Sequence, residues 1–341
     1  MEIIMPAAGL STRFPNMRPK YTLTDYSGKM MFEKSLKPFI GKHHITIGLL
    51  REHEEKHNIS KYIDQEYGDS ISVVILEEKT SGPADTVYQI LKKIKLPPEE
   101  EILIKDCDSF FEHEYQEGNY VCISSIKNHE ILKRLGSKSF VITNDQGIIN
   151  SIIEKQVVSD KFCVGGYKFE SANMFISIYE KLVNEHVNEI FVSHIIEECL
   201  NERHIFKESM VWDYVDVGTA DEWFEYNDKA VIFCDIDGTL IKAQARHSYK
   251  EAPKPLEQNV SRLLEMQNQG SLLIFTTARP ERIHIHIEKM LTGLGFNNFK
   301  LITGLPNTKR ILINDYNEAN PFPRAIAINL KRDTDNLRDY L

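Results

Sequence analysis

The sequence predicts two α/β domains in tandem, each with a largely parallel sheet flanked by helices. Three observations carry this. The chain has 341 residues, enough for two domains of roughly 100 to 200 residues. Short apolar segments alternate with helical ones over the first hundred residues, the pattern of strands joined by crossover helices. The same alternation then starts afresh just after Lys229.

In chain order, 2–7 is apolar, 30–40 helical, 45–50 and 72–76 apolar, 84–94 helical and 102–105 apolar. From 120 to 169 the chain becomes strand-rich, with turn signals at Asn144-Asp145-Gln146-Gly147 and at Val164-Gly165-Gly166, before helices return at 172–183 and 192–200. This reads as one α/β domain carrying a β-rich insertion. The second series has apolar segments at 230–234, 272–275, 311–313 and 325–329, with helices at 259–269 and 282–294. The polar join at 225–229 lacks Gly and Pro, so it suits a continuous helix better than a floppy linker. The expected domains are 1–227 and 228–341. No internal repeat or low-complexity segment interrupts them.

Composition excludes several classes. Lys and Arg total 41 against 50 for Asp and Glu, a net charge of -9, which supplies no basic field for nucleic acid or an anionic membrane. No apolar run reaches the roughly 20 residues of a membrane span, and residues 1–8 lack the features of a signal peptide. The expected location is the cytoplasm, as a monomer or a homo-oligomer. Five cysteines, an odd number without CxxC spacing, suit buried reduced thiols. The twelve histidines are dispersed, and His284 and His286 on one helix face different ways.

The first chemical constellation opens at the end of strand one, in Ala7-Ala8-Gly9-Leu10-Ser11-Thr12-Arg13, followed by Pro19-Lys20. Small residues after a strand let backbone N–H groups approach a polyphosphate, and Arg13 and Lys20 neutralise charge that builds up at an attacked phosphorus. Downstream, the apolar segment 102–105 runs into Asp106-Cys107-Asp108. On an extended segment, residues two apart project to one side, where two carboxylates suit a hard cation such as Mg²⁺. A third carboxylate, Asp216, precedes Val217-Gly218-Thr219.

In that order, these motifs resemble the nucleotidyltransferase superfamily, which makes sugar nucleotides and related activated alcohols from a nucleoside triphosphate. The resemblance covers roughly residues 1–227 and implies a Rossmann-like mixed-sheet domain. It implies triphosphate binding by Ala7 to Arg13 and by Lys20, base reading by Thr80-Ser81-Gly82-Pro83-Ala84-Asp85 and magnesium ligation by Asp108 and Asp216, with Asp106 as competitor to Asp108. It also implies acceptor contacts from Glu154-Lys155 and from Gly166 in Gly165-Gly166-Tyr167. The Ala7-Ala8-Gly9 opening departs from the paired glycines of sugar-1-phosphate uridylyl- and thymidylyltransferases and is closer to cytidylyltransferases and to the molybdopterin nucleotidyltransferase type; of the nucleotides, CTP is favoured. The implied reaction is in-line attack of an acceptor phosphate oxygen on the α-phosphorus, with pyrophosphate leaving.

The second constellation is Val231-Ile232-Phe233-Cys234-Asp235-Ile236-Asp237-Gly238-Thr239-Leu240. A carboxylate at a strand end can attack phosphorus, and a second one two residues on can protonate the leaving oxygen and then activate water. Gly238 permits the turn that follows. The segment resembles the haloacid dehalogenase superfamily of phosphohydrolases. That resemblance makes Asp235 the nucleophile and Asp237 the acid and base, with Thr277 (or Thr276) and Lys309 holding phosphate. Asp315 then binds a second Mg²⁺ together with Asp235 and Asp237, and neutral Asn314 stands where paired acids are usual. Only a short stretch separates Leu240 from Leu256, so the domain has little or no cap. Residues 310–329, with Asn320-Pro321-Phe322-Pro323-Arg324, are similar to phosphatases of capsule biosynthesis.

The expectation is a bifunctional enzyme of surface polysaccharide precursor synthesis: a Mg²⁺-dependent nucleotidyltransferase acting on a phosphorylated sugar or polyol, and a Mg²⁺-dependent phosphatase. The alternative is a transferase alone, with the second domain regulatory or structural.

Overall fold

Ile3, Ile4 and Met5 are wholly buried, because strand β1 (Glu2–Ala7) lies inside a sheet covered on both faces. The computed structural model describes residues 1–128, 135–185, 189–249, 251–314 and 325–341. It divides into two compact units, Met1–Glu225 and Tyr226–Leu341.

After β1 the first unit continues with α1 (Met31–Leu36), β2 (His44–Leu50), α2 (Arg51–His57), α3 (Ile59–Tyr67), β3 (Ile71–Leu76), α4 (Pro83–Ile94), β4 (Ile102–Lys105) and β5 (Ser109–Glu112). Next come β6 (Asn119–Ser125), β7 (Phe140–Thr143), β8 (Ile149–Ile153), β9 (Lys161–Phe169), α5 (Ala172–Glu185), α6 (Val192–Asn201), β10 (Phe206–Met210), β11 (Trp212–Asp216) and α7 (Ala220–Tyr226). The main sheet runs β10-β6-β9-β4-β1-β2-β3, with β7 and β8 attached beside β9. Strands β4, β1, β2 and β3 are parallel, and β9 runs antiparallel to β4 and β6. The sheet is therefore mixed.

Alternation along β1 sends Ile4 into one core, shared with Val87, Ile90 and Phe175. Ile3, Met5 and Ala7 enter the opposite core with Phe32, Leu36 and Ile63, as a strand with helices on both faces requires. Helix α4 begins with Pro83 and carries Asp85 in its first turn and Lys92 and Lys93 in its last, charges that complement the helix dipole. Helix α1 stops at Leu36 rather than running to residue 40: Lys37 keeps α geometry, but Pro38 has no N–H to continue the hydrogen-bond ladder. The crossover α2–α3 and the short strand β5 were not foreseen.

Two local expectations are corrected. Val164-Gly165-Gly166 is no turn but the interior of β9, where the register with β6 shifts between Val121 and Ile123 and Gly165 takes φ +82°; the bulge absorbs the glycine signal within the strand. Asp106-Cys107-Asp108 is not extended but a tight turn between β4 and β5, so its two carboxylates are not held on one side by strand geometry.

The second unit has β12 (Val231–Asp235), α8 (Glu257–Asn268), β13 (Leu272–Thr276), α9 (His284–Gly293) and β14 (Phe299–Ile302), with parallel strand order β12-β13-β14. Its core gathers Ile236, Leu240, Leu263, Leu273, Phe275, Ile287, Leu291 and Phe296. Segments 311–313 and 325–329 are irregular, not strands, and Ile311 and Ile313 are 73% and 91% exposed. Three apolar residues between Arg310 and Asn314 offer too little burial and too few ladder bonds to offset backbone ordering. Helix α7 ends at Tyr226 and does not run on into β12; Asn227 and Asp228 are poor helix formers that compete for backbone hydrogen bonds. Asp315 and residues 320–324 lie outside the described residues.

Candidate functional site

In the first unit the candidate residues gather where β1 and β4, adjacent and parallel, release their chains at the carboxyl ends, the usual position for a ligand crevice in an open α/β sheet. Ala7 and Ala8 are buried, whereas Gly9, Leu10, Thr12 and Arg13 are exposed. Ser11 turns the loop with φ +54°. Its carbonyl accepts from the Phe14 N–H at 2.8 Å, and its hydroxyl oxygen accepts from the Lys20 N–H at 2.9 Å. The Lys20 ammonium then reaches Asp108 Oδ2 at 2.6 Å, and the Arg13 guanidinium lies 3.4 Å from the same oxygen.

This pairing governs the local charges. Burial by itself lowers the Lys20 pKa, but the Asp108 carboxylate outweighs it and leaves the ammonium above its ordinary value. Burial by itself raises Asp108, but Lys20 and Arg13 outweigh it and hold the carboxyl well below the usual range. Asp106 behaves differently: burial, and then the Asp108 charge, raise its pKa. Its carboxyl lies against Gly165, where a Cβ would meet Asp106 Oδ2 at 2.6 Å, so only glycine fits there.

The turn that parts the two aspartates is fastened by Lys105, a wholly buried side chain. Its ammonium donates to Asp106 O (2.8 Å), Ser109 O (2.7 Å) and Ser109 Oγ (2.9 Å) and lies 4.4 Å from the centre of the Phe111 ring. Burial, the largest influence, pushes its pKa down to about 8. The only sequence signal for this role is a charged residue closing an otherwise apolar strand.

Asp216 reaches the same place by another route. In the β5–β11 ribbon it stands opposite Ser109, and the Val217 N–H donates to Asp108 O at 3.0 Å, so Asp108 and Asp216 sit on neighbouring positions. Lys138 Nζ lies 2.5 Å from Asp216 Oδ2 and 2.8 Å from the Tyr214 hydroxyl. Nothing in the sequence marked Lys138, which lies in a polar stretch far from both aspartates. The next residue, Ser139, donates to Glu154 Oε2, as does Ser193 at 2.6 Å. Lys155, in left-handed geometry, lies 3.9 Å from Glu154 Oε1 and 3.9 Å from the centre of the Phe191 ring. Gly166 is enclosed in β9, where a Cβ would meet Cys122 and Phe111. Gly82 caps α4 beside Glu189 and Ile190.

Hard oxygen donors on adjacent positions, each already holding a cation, fit Mg²⁺ at Asp108 and Asp216; Asp106, turned against Gly165, fits less well. Among the described residues no three His, Cys, Asp or Glu side chains converge, so phosphate and water would complete the shell.

In the second unit Asp235 ends β12. Desolvation, and then Asp237, raise its pKa, while Arg310 and Arg332 oppose them. Asp237 accepts from Thr277 Oγ1 at 3.1 Å and from both Nε and Nη2 of Arg279. Thr276 instead turns its hydroxyl to Cys234 O. Arg279 is 1% exposed and also reaches Gln244 Oε1 and the face of Tyr249; the sequence contained it in the Thr276-Thr277-Ala278-Arg279 run without suggesting this part. Gly238 takes φ +88° at the turn after Asp237. Lys309 is exposed in the irregular segment leading to residue 314.

No family model and no curated protein matches the chain, whereas solved structures do. A nucleoside-diphosphate-sugar pyrophosphorylase from Vibrio cholerae RC9 is 18% identical, with 65% of this chain and 98% of that one covered at a TM-score of 0.56. The inositol-1-phosphate CTP transferase from T. maritima is 14% identical, with 65% and 90% covered at 0.53. The UDP-glucose pyrophosphorylase from Acinetobacter baumanii is 15% identical, with 66% and 90% covered at 0.50. In length the shared part is about that of Met1–Glu225. The chain therefore contains the mixed α/β fold of these sugar-phosphate nucleotidyltransferases.

Proposed function

We propose that residues 1–227 are a Mg²⁺-dependent nucleotidyltransferase that moves a nucleotidyl group from a nucleoside triphosphate, with CTP favoured, to the phosphate of a sugar or polyol. The observation that carries this reading is the junction of Arg13, Lys20 and Asp108 at the carboxyl ends of β1 and β4. Two cations on an exposed loop of small residues suit a triphosphate, and Asp108 and Asp216 suit its metal. The resemblance in fold to an enzyme named as an inositol-1-phosphate CTP transferase supports the reaction class, and the Ala7-Ala8-Gly9 opening is what favours CTP.

In this reading the loop from Ala7 to Thr12 carries the phosphates. Arg13 and Lys20 neutralise charge on the α-phosphate and the leaving pyrophosphate, and Glu154 and Lys155 orient the acceptor. Mg²⁺ at Asp108 and Asp216 supplies further charge neutralisation on the triphosphate.

For residues 228–341 we infer phosphomonoester hydrolysis in the same surface polysaccharide (capsule) route. Asp235 attacks phosphorus and expels the alcohol, whose oxygen Asp237 protonates; Asp237 then takes a proton from the water that hydrolyses the aspartyl phosphate to free Asp235 and release phosphate. Thr277 and Lys309 hold the phosphate, and Asp235, Asp237 and Asp315 would hold a second Mg²⁺. One observation favours a second reading, a regulatory or structural module: the Arg279 fork holds the Asp237 carboxylate in a closed pair. Asp235→Asn separates the two, since unchanged phosphate release from a panel of phosphomonoesters refutes hydrolysis.

The transferase is tested by thermal unfolding with Mg²⁺ and CTP, UTP, GTP or ATP in turn. A nucleotide at about 100 times its dissociation constant stabilises by roughly 2.7 kcal/mol. A shift with one nucleotide that vanishes in Lys20→Ala supports the reading; no shift with any of the four refutes it.

A further inference from the structure

The carboxylates at the first site are paired in the same way on both sides. Lys20 Nζ lies 2.6 Å from Asp108 Oδ2, and Lys138 Nζ lies 2.5 Å from Asp216 Oδ2. The backbone segments that carry the two pairs are joined by the Val217 N–H bond to Asp108 O. Lys20 is anchored in the phosphate loop; Lys138 belongs to no phosphate-binding element. We propose that Lys138 occupies the metal position on Asp216 and is displaced when a divalent cation binds there, which makes it a positioning residue for the metal. This rests on the transferase reading of the same site.

Three features let the exchange happen without disturbing the fold. Asp216 is oriented independently of the lysine, since its Oδ1 accepts from the Gly218 N–H at 3.1 Å. In its place on Asp216 the Lys138 ammonium also donates to the Tyr214 hydroxyl at 2.8 Å and lies 5.7 Å and 5.5 Å from the centres of the Phe162 and Tyr214 rings, within range of cation–π attraction, so the carboxylate is one of several partners. A lysine ammonium is a compact charge on a flexible stem, so it can leave Asp216 while its backbone stays in place.

The exchange is also linked to the acceptor side. Lys138 is followed directly by Ser139, whose hydroxyl donates to Glu154, the residue beside Lys155. Lys138 is therefore a chain neighbour of the pair proposed to hold the acceptor, whose phosphate is a new partner for an ammonium released from Asp216. A metal that must displace a bound lysine binds more weakly than one meeting a bare carboxylate, which delays tight metal binding until phosphate offers the lysine a new partner.

The test titrates the full chain, carrying Asp235→Asn throughout to remove a ligand of the second unit's proposed metal site, with Mn²⁺ alone, without nucleotide, and counts bound ion by electron paramagnetic resonance. Lys138→Met is expected to bind Mn²⁺ about tenfold more tightly than wild type, the equivalent of losing one competing charge-assisted hydrogen bond. Asp216→Asn is expected to lose most of that binding. Equal or weaker binding by a folded Lys138→Met overturns the proposal, as does wild-type binding by Asp216→Asn. A second measurement needs no variant: acylation of Lys138 in the native protein, followed by mass spectrometry, is expected to speed up on addition of Mg²⁺, and an unchanged rate overturns the proposal. Failure of the transferase reading appears separately, as absence of stabilisation by any nucleotide.

Discussion

Replacing Lys105 by Met tests how the turn between β4 and β5 is held. The ammonium is wholly buried on three oxygen acceptors without a bonded carboxylate, and its pKa falls from 10.5 to about 8. Between those values the unfolded chain binds more protons than the folded one, so stability rises with pH through that window. At about 1.4 kcal/mol per pH unit, the charged lysine costs the fold up to about 3 kcal/mol below pH 8, a penalty relieved as pH climbs toward 10.5. Lys105→Met removes this dependence. It also leaves the Ser109 carbonyl and hydroxyl without their donor, at about 1–3 kcal/mol for each buried acceptor; Asp106 O keeps Ser35 Oγ at 2.7 Å. Both tryptophans, Trp212 and Trp223, lie in the first unit, so their fluorescence during urea unfolding reports the relevant part. Wild type minus variant, measured from pH 7 to pH 10, is expected to grow in favour of wild type above pH 8. A difference that stays flat over this range would refute the reasoning.

Three further outcomes follow from packing and charge. Gly165→Ala combines left-handed backbone with a Cβ 2.6 Å from Asp106 and is expected to destabilise the first unit by about 2–5 kcal/mol, read from the same tryptophan transition. Arg279→Met leaves Asp237 without its buried fork and is expected to cost about 3–5 kcal/mol, visible in thermal unfolding, with Arg279→Lys recovering only part because one ammonium cannot copy the two-point contact. Burial holds the thiols of Cys107 near 11 and of Cys122, Cys199 and Cys234 near 12, so a thiol reagent at pH 8 is expected to label the native chain only as fast as it unfolds; rapid labelling would contradict the buried positions of all five cysteines.

Features that depend on near neighbours along the chain can be read from residue order. The parallel core strands were legible from unbroken apolar runs, and α4 from Pro83 at its start and its amphipathic spacing. The exposed loop that carries Arg13, with Lys20 close behind, was legible because small residues and both cations lie within one short stretch, and the closeness of Asp235 and Asp237 because they stand two residues apart at the end of β12. Local signals also misled where context reversed them. Two glycines in β9 read as a turn but make a bulge inside a strand, and the apolar trio at 311–313 reads as a strand but lies exposed. Tertiary structure alone decided which charges meet. Asp108 and Asp216 are joined through a ribbon between β5 and β11, Lys138 reaches Asp216 from 78 residues away, and Lys105 folds the turn that sends Asp106 and Asp108 to different partners. An ion pair is set by distance in space, and no residue pattern along a chain encodes the crossing of two strands that brings such partners within reach.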